Sequence, residues 1–397
     1  MANSMTTIGS VAEIFDGPHA TPTKTNDGPF FLSISSLENG RLDLSKSAHL
    51  SEVDFKKWTK RVTPRMGDLL FSYETRLGEA ALMPDGVRAC LGRRMGLLRP
   101  RSDKVIPEYL LYAYLSPTFQ QTIVANTITG ATVDRIALNE MPDFAIRIPG
   151  MEEQKKVADL LKNIDAKIDC NNRINAELEA MAKALYDYWF VQYDFPDING
   201  NPYKSSGGEM IFNTTLKREI PEGWCNSTIG SLISLEYGKG LKAENRTGSG
   251  YPVIGSNGVV GYHSDFLVKG PGIVVGRKGT VGAITFIHTD FFPIDTTYYV
   301  KPIAEIGFIY LKYLLSSLGL ENMNSDSAVP GLNREAALRI PRAFPPTSLI
   351  QNFERRIAPL FNKMHISSQE NQQLSQLREW LLPLLMNGQV SVVQRVR

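Results

Sequence analysis

The chain has few of the residues that announce chemistry, and none of them stands in a working pattern. Its 397 residues hold three cysteines, Cys90, Cys170 and Cys225. The odd number and wide spacing argue against a disulfide framework and suit a reduced, cytoplasmic compartment. No C-x-x-C pair is present, so no cysteine zinc site is expected. The five histidines form no H-E-x-x-H motif. Gly276-Arg-Lys-Gly-Thr280 is only a fragment of a phosphate loop, because no G-x-x-x-x-G-K-[ST] run exists. Asn201-Pro-Tyr203 lacks the second proline of the N-P-P-[YF] signature of adenine methyltransferases. The sequence therefore predicts no catalytic residue and no metal ligand. Long apolar runs are missing too. FIYLKYLLSSLGL is too short to span a bilayer and contains Lys312. The start, MANSMTTIGS, lacks the basic and apolar regions of a signal peptide. A soluble, cytoplasmic protein with no membrane partner is expected. Charge of one sign is scarce as well, with 43 Lys+Arg against 41 Asp+Glu. A near-neutral total is unlike that of a general nucleic-acid binder.

What the chain does have is a repeat of itself. TTIGSVAEIFDG, from Thr6, matches STIGSLISLEYG, from Ser227, at an offset of 221. Gly67-Asp-Leu-Leu-Phe followed by Arg76-Leu-Gly78 matches Gly272-Ile-Val-Val followed by Thr280-Val-Gly282, with an offset of 204 at the final glycine. IPEYLLYAYL at Ile106 matches IGFIYLKYLL at Ile306, and the segment from Ala145 matches that from Pro341 at an offset of 196. Matches in one order with shrinking offsets indicate a duplication, with about 25 extra residues in the first copy. The expected organisation is a globular domain over 1–150, a helix over 151–190 and a connector with a second domain over 191–346. A second helix over 347–388 and a tail over 389–397 complete it. The fold class is α+β: two tandem domains of mixed sheet and helices, joined by two long helices and related by an internal pseudo-two-fold repeat.

Both helices carry a 4-3 apolar alternation. In the first it runs Val157, Leu161, Ile164, Ile168, then Leu178, Ala182, Leu185, Trp189, with Asn171 and Asn175 filling the middle steps. The second runs Phe353, Ile357, Leu360, Met364, then Ser367 and Asn371, then Leu374, Arg378, Leu381, Leu385. Each is roughly 60 Å long at 1.5 Å per residue. In an antiparallel coiled coil the polar steps come level and penalise slipped registers. The alternative is that these steps face solvent where the helices splay. Pro359 and Pro383 argue against an unbroken second helix, which is expected to start after Pro359 or kink there.

Divided by segment, the charge is uneven. Residues 56–104 hold 12 basic and five acidic side chains, and 237–282 hold six and two. Residues 151–200 are acidic, with ten against six. Two glycine triplets, Gly255-Gly258-Gly261 and Gly276-Gly279-Gly282, frame Ser256, Asn257, Arg277, Lys278 and Thr280, all able to donate to phosphates or base edges. Tight β-turns produce the same glycine spacing, and basic runs are often solvated faces.

The central segment Tyr188–Met210, followed by Ile220-Pro-Glu-Gly-Trp224, resembles the joint of type I restriction–modification specificity subunits. The two glycine triplets and Gly67-Asp-Leu-Leu-Phe-Ser72 resemble the frame of that family's target recognition domains. Val329-Pro-Gly-Leu-Asn-Arg334 and Pro345-Pro346 resemble the start of its second spacer helix. The resemblance implies a non-catalytic subunit whose two domains each read half of a split, asymmetric sequence in double-stranded DNA. Half-sites on one face of the duplex lie on the order of 34 Å apart. It also implies two methyltransferase (modification) subunits using S-adenosylmethionine, and restriction subunits using ATP and Mg2+, as partners; this chain itself binds no cofactor. Arginine, lysine, asparagine and histidine on loops are the expected readers: Arg61, Arg76, Arg93 and Arg94 in the first domain, and Lys239, Asn257, His263, Arg277 and Lys278 in the second. Tyr186, Tyr188, Trp189 and Phe190 are candidates for partner docking, or else pack against the second domain. A two-ended scaffold that binds proteins rather than DNA is the alternative function.

Overall fold

The computed structural model describes residues 4–130, 133–303, 306–323 and 331–393. Val329 and Pro330 of the motif before the second helix, and the last four residues of the 389–397 tail, lie outside them. The chain divides into two compact units: Met1–Cys170 with Glu370–Arg397, and Asn171–Gln369.

In the first unit seven strands form two sheets. They are β1 (Ala12–Asp16), β2 (Lys24–Phe31), β3 (Ala48–Leu50), β4 (Leu69–Ser72), β5 (Ala80–Leu82), β6 (Ala89–Cys90) and β7 (Met95–Pro100). The larger sheet is antiparallel in the order β1-β7-β4-β5. The smaller has the order β3-β2-β6, with β2 and β6 parallel. A further strand pair, Met5–Thr7 with Ala145–Arg147, ties the start of the unit to its end. β4 is buried along its length, as an L-L-F run without alternation requires of a central strand.

The second unit repeats this plan strand for strand. Its elements are β8 (Ile233–Tyr237), β9 (Tyr251–Gly255), β10 (Gly258–His263), β11 (Gly272–Gly276), β12 (Ile284–Ile287), β13 (Phe292–Pro293) and β14 (Thr297–Pro302). The sheet orders are β8-β14-β11-β12 and β10-β9-β13, again with one parallel pair in the smaller sheet. Even the register is shared. Leu97 faces Phe15 and Leu70, and its counterpart Tyr299 faces Glu236 and Val274. The pairing also locates most of the extra residues. The offset is 223 from Phe31 to Ile254, which pair alike with β6 and β13, and 204 from Leu70 to Val274. The first unit fills the difference with a short hairpin, Leu37–Glu38 with Arg41–Leu42, and the helix Glu52–Trp58.

The spacer helices are Met151–Tyr186 and Thr347–Met386. Within the first unit their segments run antiparallel: Asp165 pairs with Arg378 at 2.7 Å and Lys167 with Glu370 at 3.3 Å. Val157, Leu161, Ile164 and Ile168 are buried at the expected seam positions. Arg378 occupies a seam step because Asp165 neutralises it, and Tyr112 donates its hydroxyl to the same carboxylate. Within the second unit the segments are again antiparallel, with Asn175 donating to Ser368 at 3.3 Å and Trp189 against Phe353. Asn171 and Ser367 are buried and Asn175 is half-buried, while the Leu360 step is taken over by Phe361.

The expectation that the second helix starts only after Pro359 is overturned. The second helix starts at Thr347 and continues through Pro359 and Pro383. Each proline removes one backbone hydrogen bond. Buried Phe353, Ile357, Phe361 and Met364 hold the first turns in place across Pro359.

Each unit fastens its spacer helix to a neighbouring helix by one side chain. Gln154 accepts from Ile106 N–H at 2.9 Å, at the start of helix Pro107–Leu115, and donates to the Lys104 and Pro149 carbonyls. Glu354 accepts from Tyr310 N–H at 2.6 Å, in the first turn of helix Phe308–Ser316. Burial raises the Glu354 carboxyl above its ordinary 4.5, against the lowering effect of the Tyr310 and Ile309 N–H groups. A raised folded value favours the proton-bound form, so this contribution is full in acid and is lost as pH rises through the folded value. Glu354→Gln, which keeps the acceptor oxygen and removes the buried charge, is expected to be more stable than the natural chain at neutral pH. The gain should vanish below the ordinary carboxylate range. Urea unfolding at neutral and acidic pH measures it, and an equal or lower midpoint at neutral pH contradicts it.

Candidate nucleic-acid interface

In an antiparallel order β1-β7-β4, the end of β1, the start of β7 and the end of β4 lie on one sheet edge. Asp16 pairs with Gly96 and Ser72 with Met95. The basic candidates of the first unit gather there. Arg61 is ion-paired with Asp16 at 2.6 Å. Arg93 and Arg94 form the turn that leads into β7, and Tyr73 N–H donates to the Arg94 carbonyl at 3.2 Å. Arg94 holds a left-handed conformation (φ 73°) and pairs with Glu74 at 2.9 Å. Arg76, just beyond β4, pairs with Glu79 and donates to the Ile34 carbonyl, both at 3.3 Å. Arg93 is exposed and has no ion pair among the described residues.

The same edge of the second unit is the end of β8, the end of β11 and the start of β14. Lys239 follows β8, and its N–H donates to the Pro293 carbonyl at 3.0 Å. Arg277 and Lys278 follow β11, and both backbone N–H groups donate to the Thr296 carbonyl, at 2.9 and 3.0 Å. By the shared register, Asp295-Thr296 stands where Arg93-Arg94 stands in the first unit. The basic charge thus reaches the same place from opposite strands.

The glycine triplets are turn and packing glycines, and they bring the candidates together. Ser256-Asn257 is the two-residue turn of the β9–β10 hairpin, closed by Gly258 at φ 97°. Gly279 lies beside that turn: a methyl group on it would be 3.1 Å from Ser256 Oγ. Exposed Asn257 and Lys278 therefore stand on adjacent loop tips. Arg277 lies lower. Its guanidinium covers the Tyr237 ring at 5.1 Å and Tyr298 at 5.9 Å, and donates to the Asp295 carbonyl at 3.0 Å. Burial, then the hydrogen bond with Tyr237, pushes the Tyr298 phenol up to about 12. His263 is not part of this group. It stands at the far end of β10, mostly buried against Phe292 and 3.9 Å from Asp265.

For three of the four aromatic docking candidates the packing alternative holds and docking does not. Tyr186, Trp189 and Phe190 are buried inside the second unit, packed on Phe353, Tyr310 and Trp224. Burying such large rings in mutual contact stabilises the joint and leaves them no surface for a partner. Only Tyr188 is exposed. Two features escaped the sequence. Arg334 also lies over Tyr237, at 5.5 Å. An exposed stripe at heptad spacing runs Ile174, Met181, Tyr188, and Leu377, the repeat counterpart of Met181, is exposed too.

Among the described residues no group of three or more His, Cys, Asp and Glu could hold a metal ion, and no helix is long and apolar enough to cross a membrane. The chain is 22% identical over 410 residues to the HindI specificity subunit of Haemophilus influenzae, covering 82% of this chain and 87% of that one. It is 24% identical over 376 residues to the MjaIX specificity subunit of Methanocaldococcus jannaschii, with 87% and 82% covered. The fold matches the crystal structure of a type I restriction–modification S subunit from M. genitalium, with a TM-score of 0.61 at 18% identity over 96% of this chain and 95% of that one. The family model described as "Type I restriction modification DNA specificity domain" matches residues 3–180 and again 221–376. Two copies in tandem are what the repeated sheets display, and the chain belongs to the family of type I restriction–modification DNA specificity proteins.

Proposed function

We propose that this chain is the sequence-reading subunit of a type I restriction–modification complex, working in the cytoplasm without chemistry of its own. Each unit reads one half of a bipartite, asymmetric DNA site, and the spacer helices set the unread gap. The observation that carries this reading is that arginine and lysine side chains stand at the same strand ends in both repeats on different residues, Arg93 and Lys278 among them exposed and without an ion pair among the described residues. A shared frame with unlike side chains is what reading two different half-sites requires.

Modification subunits, which carry S-adenosylmethionine and methylate adenine, dock on the helices, and restriction subunits add ATP- and Mg2+-dependent translocation and cleavage. The exposed Ile174, Met181, Tyr188 stripe supports one docking site, and exposed Leu377 marks the matching position of Met181 on the second helix.

Mapping methylated adenines in cells that express the chain with its modification subunit tests the reading. A two-part sequence with a fixed gap is expected, and methylation without such a site would overturn it. Asn257 and Lys278 are the readers at the loop tips. Lys278→Ala is expected to weaken binding to the mapped duplex by roughly 1–3 kcal/mol and to relax specificity at one position. Unchanged affinity in a duplex titration would remove it from the reading surface.

A further inference from the structure

We infer that Arg277 and Arg334 form a clamp for a backbone phosphate of duplex DNA, distinct from the base-reading tips; this rests on the DNA-reading function proposed above. Both guanidiniums lie over one half-exposed ring, Tyr237, at 5.1 and 5.5 Å. They share a cleft of about 380 Å³ with Lys278, Tyr298 and Asn333. Three cations meet there, and the one carboxylate lining the cleft is Glu335, 3.2 Å from Arg334 and itself mostly exposed. Such an excess in a concave site favours an anion.

The anchoring explains why the ligand is a phosphate and not a base edge. One N–H of Arg277 is held by the Asp295 carbonyl, and one of Arg334 by the Leu235 carbonyl at 3.5 Å. The Arg277 carbonyl is in turn fixed by Leu332 N–H at 2.9 Å. With one edge of each fork tied down and the plane laid on an aromatic ring, neither side chain extends into a groove. Arg334 also donates from its other terminal nitrogen to the exposed Glu335 at 3.2 Å, a partner that a phosphate would replace. The donors left on each fork face the cleft, and a planar fork matches phosphate oxygens. Asn257, on the turn tip outside the cleft, has no such tether among the described residues, and Lys278 stands between the two, lining the cleft from an equally untethered tip. Contacts of the first kind position a protein on DNA, and those of the second kind specify sequence.

The cleft sits at the end of β8. The matching end of β1 in the first unit holds another cleft, of about 300 Å³, lined by Lys57, Lys60, Arg61, His19 and Trp58, with Lys57 over the Trp58 ring and Asp16 as the carboxylate paired with Arg61. The two strand ends correspond at Asp16 and Tyr237 by register. A cationic, aromatic-lined cleft at the same strand end in both repeats, made from unrelated residues, is the expected layout for holding the backbone beside each half-site.

The test uses the full chain with its modification subunits, the mapped duplex, and a duplex whose second half-site is scrambled. Anisotropy titrations are run over a series of salt concentrations. Arg334→Gln should weaken both duplexes by the same factor and flatten the salt slope by about 1. Arg277→Gln should behave alike, whereas Glu335→Gln, which frees Arg334, should tighten both duplexes. A loss confined to the mapped duplex with the slope unchanged would make Arg334 a base reader and overturn the clamp, as would no loss at all. If the natural complex binds both duplexes equally, sequence reading fails while the slope comparison still decides the clamp.

Discussion

Phe353→Ala is expected to cost about 3–5 kcal/mol, the loss typical of deleting a large aromatic from a packed interior. Phe353 is fully buried, with its ring 5.8 Å from Trp189, 5.1 Å from Phe190 and 6.1 Å from Tyr186. Tyr310 and Trp224 extend the cluster through Phe190. One residue of the second helix thus meets the end of the first helix, and the helix Phe308–Ser316 closes the same cluster. At roughly 2–4 °C per kcal/mol for a body of this size, the melting temperature of the second unit should fall by on the order of 10 °C. Phe353→Leu, which keeps most of the volume, should cost much less. Calorimetry on the full chain decides it, and a shift no larger than that of the leucine variant would refute the joint as drawn.

The same cluster shows what could be read from sequence and what could not. The repeat, the two long helices and the polar steps at Asn171 and Ser367 were legible because periodicity and offset are properties of the chain alone. The fate of Tyr186, Trp189 and Phe190 was not, because their partner rings Phe353 and Tyr310 lie more than a hundred residues away. Exposed and buried aromatics look alike in a one-dimensional pattern. Pro359 misled for a related reason. A local rule counts the hydrogen bond that proline removes, and cannot see the core that buries Ile357 and Phe361 beside it. Arg334 is legible in the sequence only as the end of the motif before the second helix, because it joins Arg277 only through the ring of Tyr237.

Asp68→Ala is expected to destabilise the first unit by about 3–5 kcal/mol, through a charge left unpaired inside it. Asp68 is 2% exposed and grips Arg99 with both oxygens, at 2.9 and 2.6 Å, while accepting from Arg65 N–H at 2.9 Å. Arg99 also donates to the Thr63 carbonyl at 3.0 Å and lies over Phe15 at 5.5 Å, so it cannot turn out to water without breaking these contacts. The second unit has no such pair, since Gly272 and Lys301 occupy the matching positions. Five of the twelve basic residues counted over 56–104 are engaged in this way, Arg61, Arg76, Arg88, Arg94 and Arg99 each facing a carboxylate. A count of basic residues therefore overstates the charge available to DNA, most clearly for Arg99. The two roles separate by experiment. Asp68→Ala should lower the unfolding midpoint in urea sharply while leaving the DNA affinity of the folded complex unchanged at low temperature. A stable variant with weakened binding would instead place Arg99 at the DNA surface and contradict the internal pair.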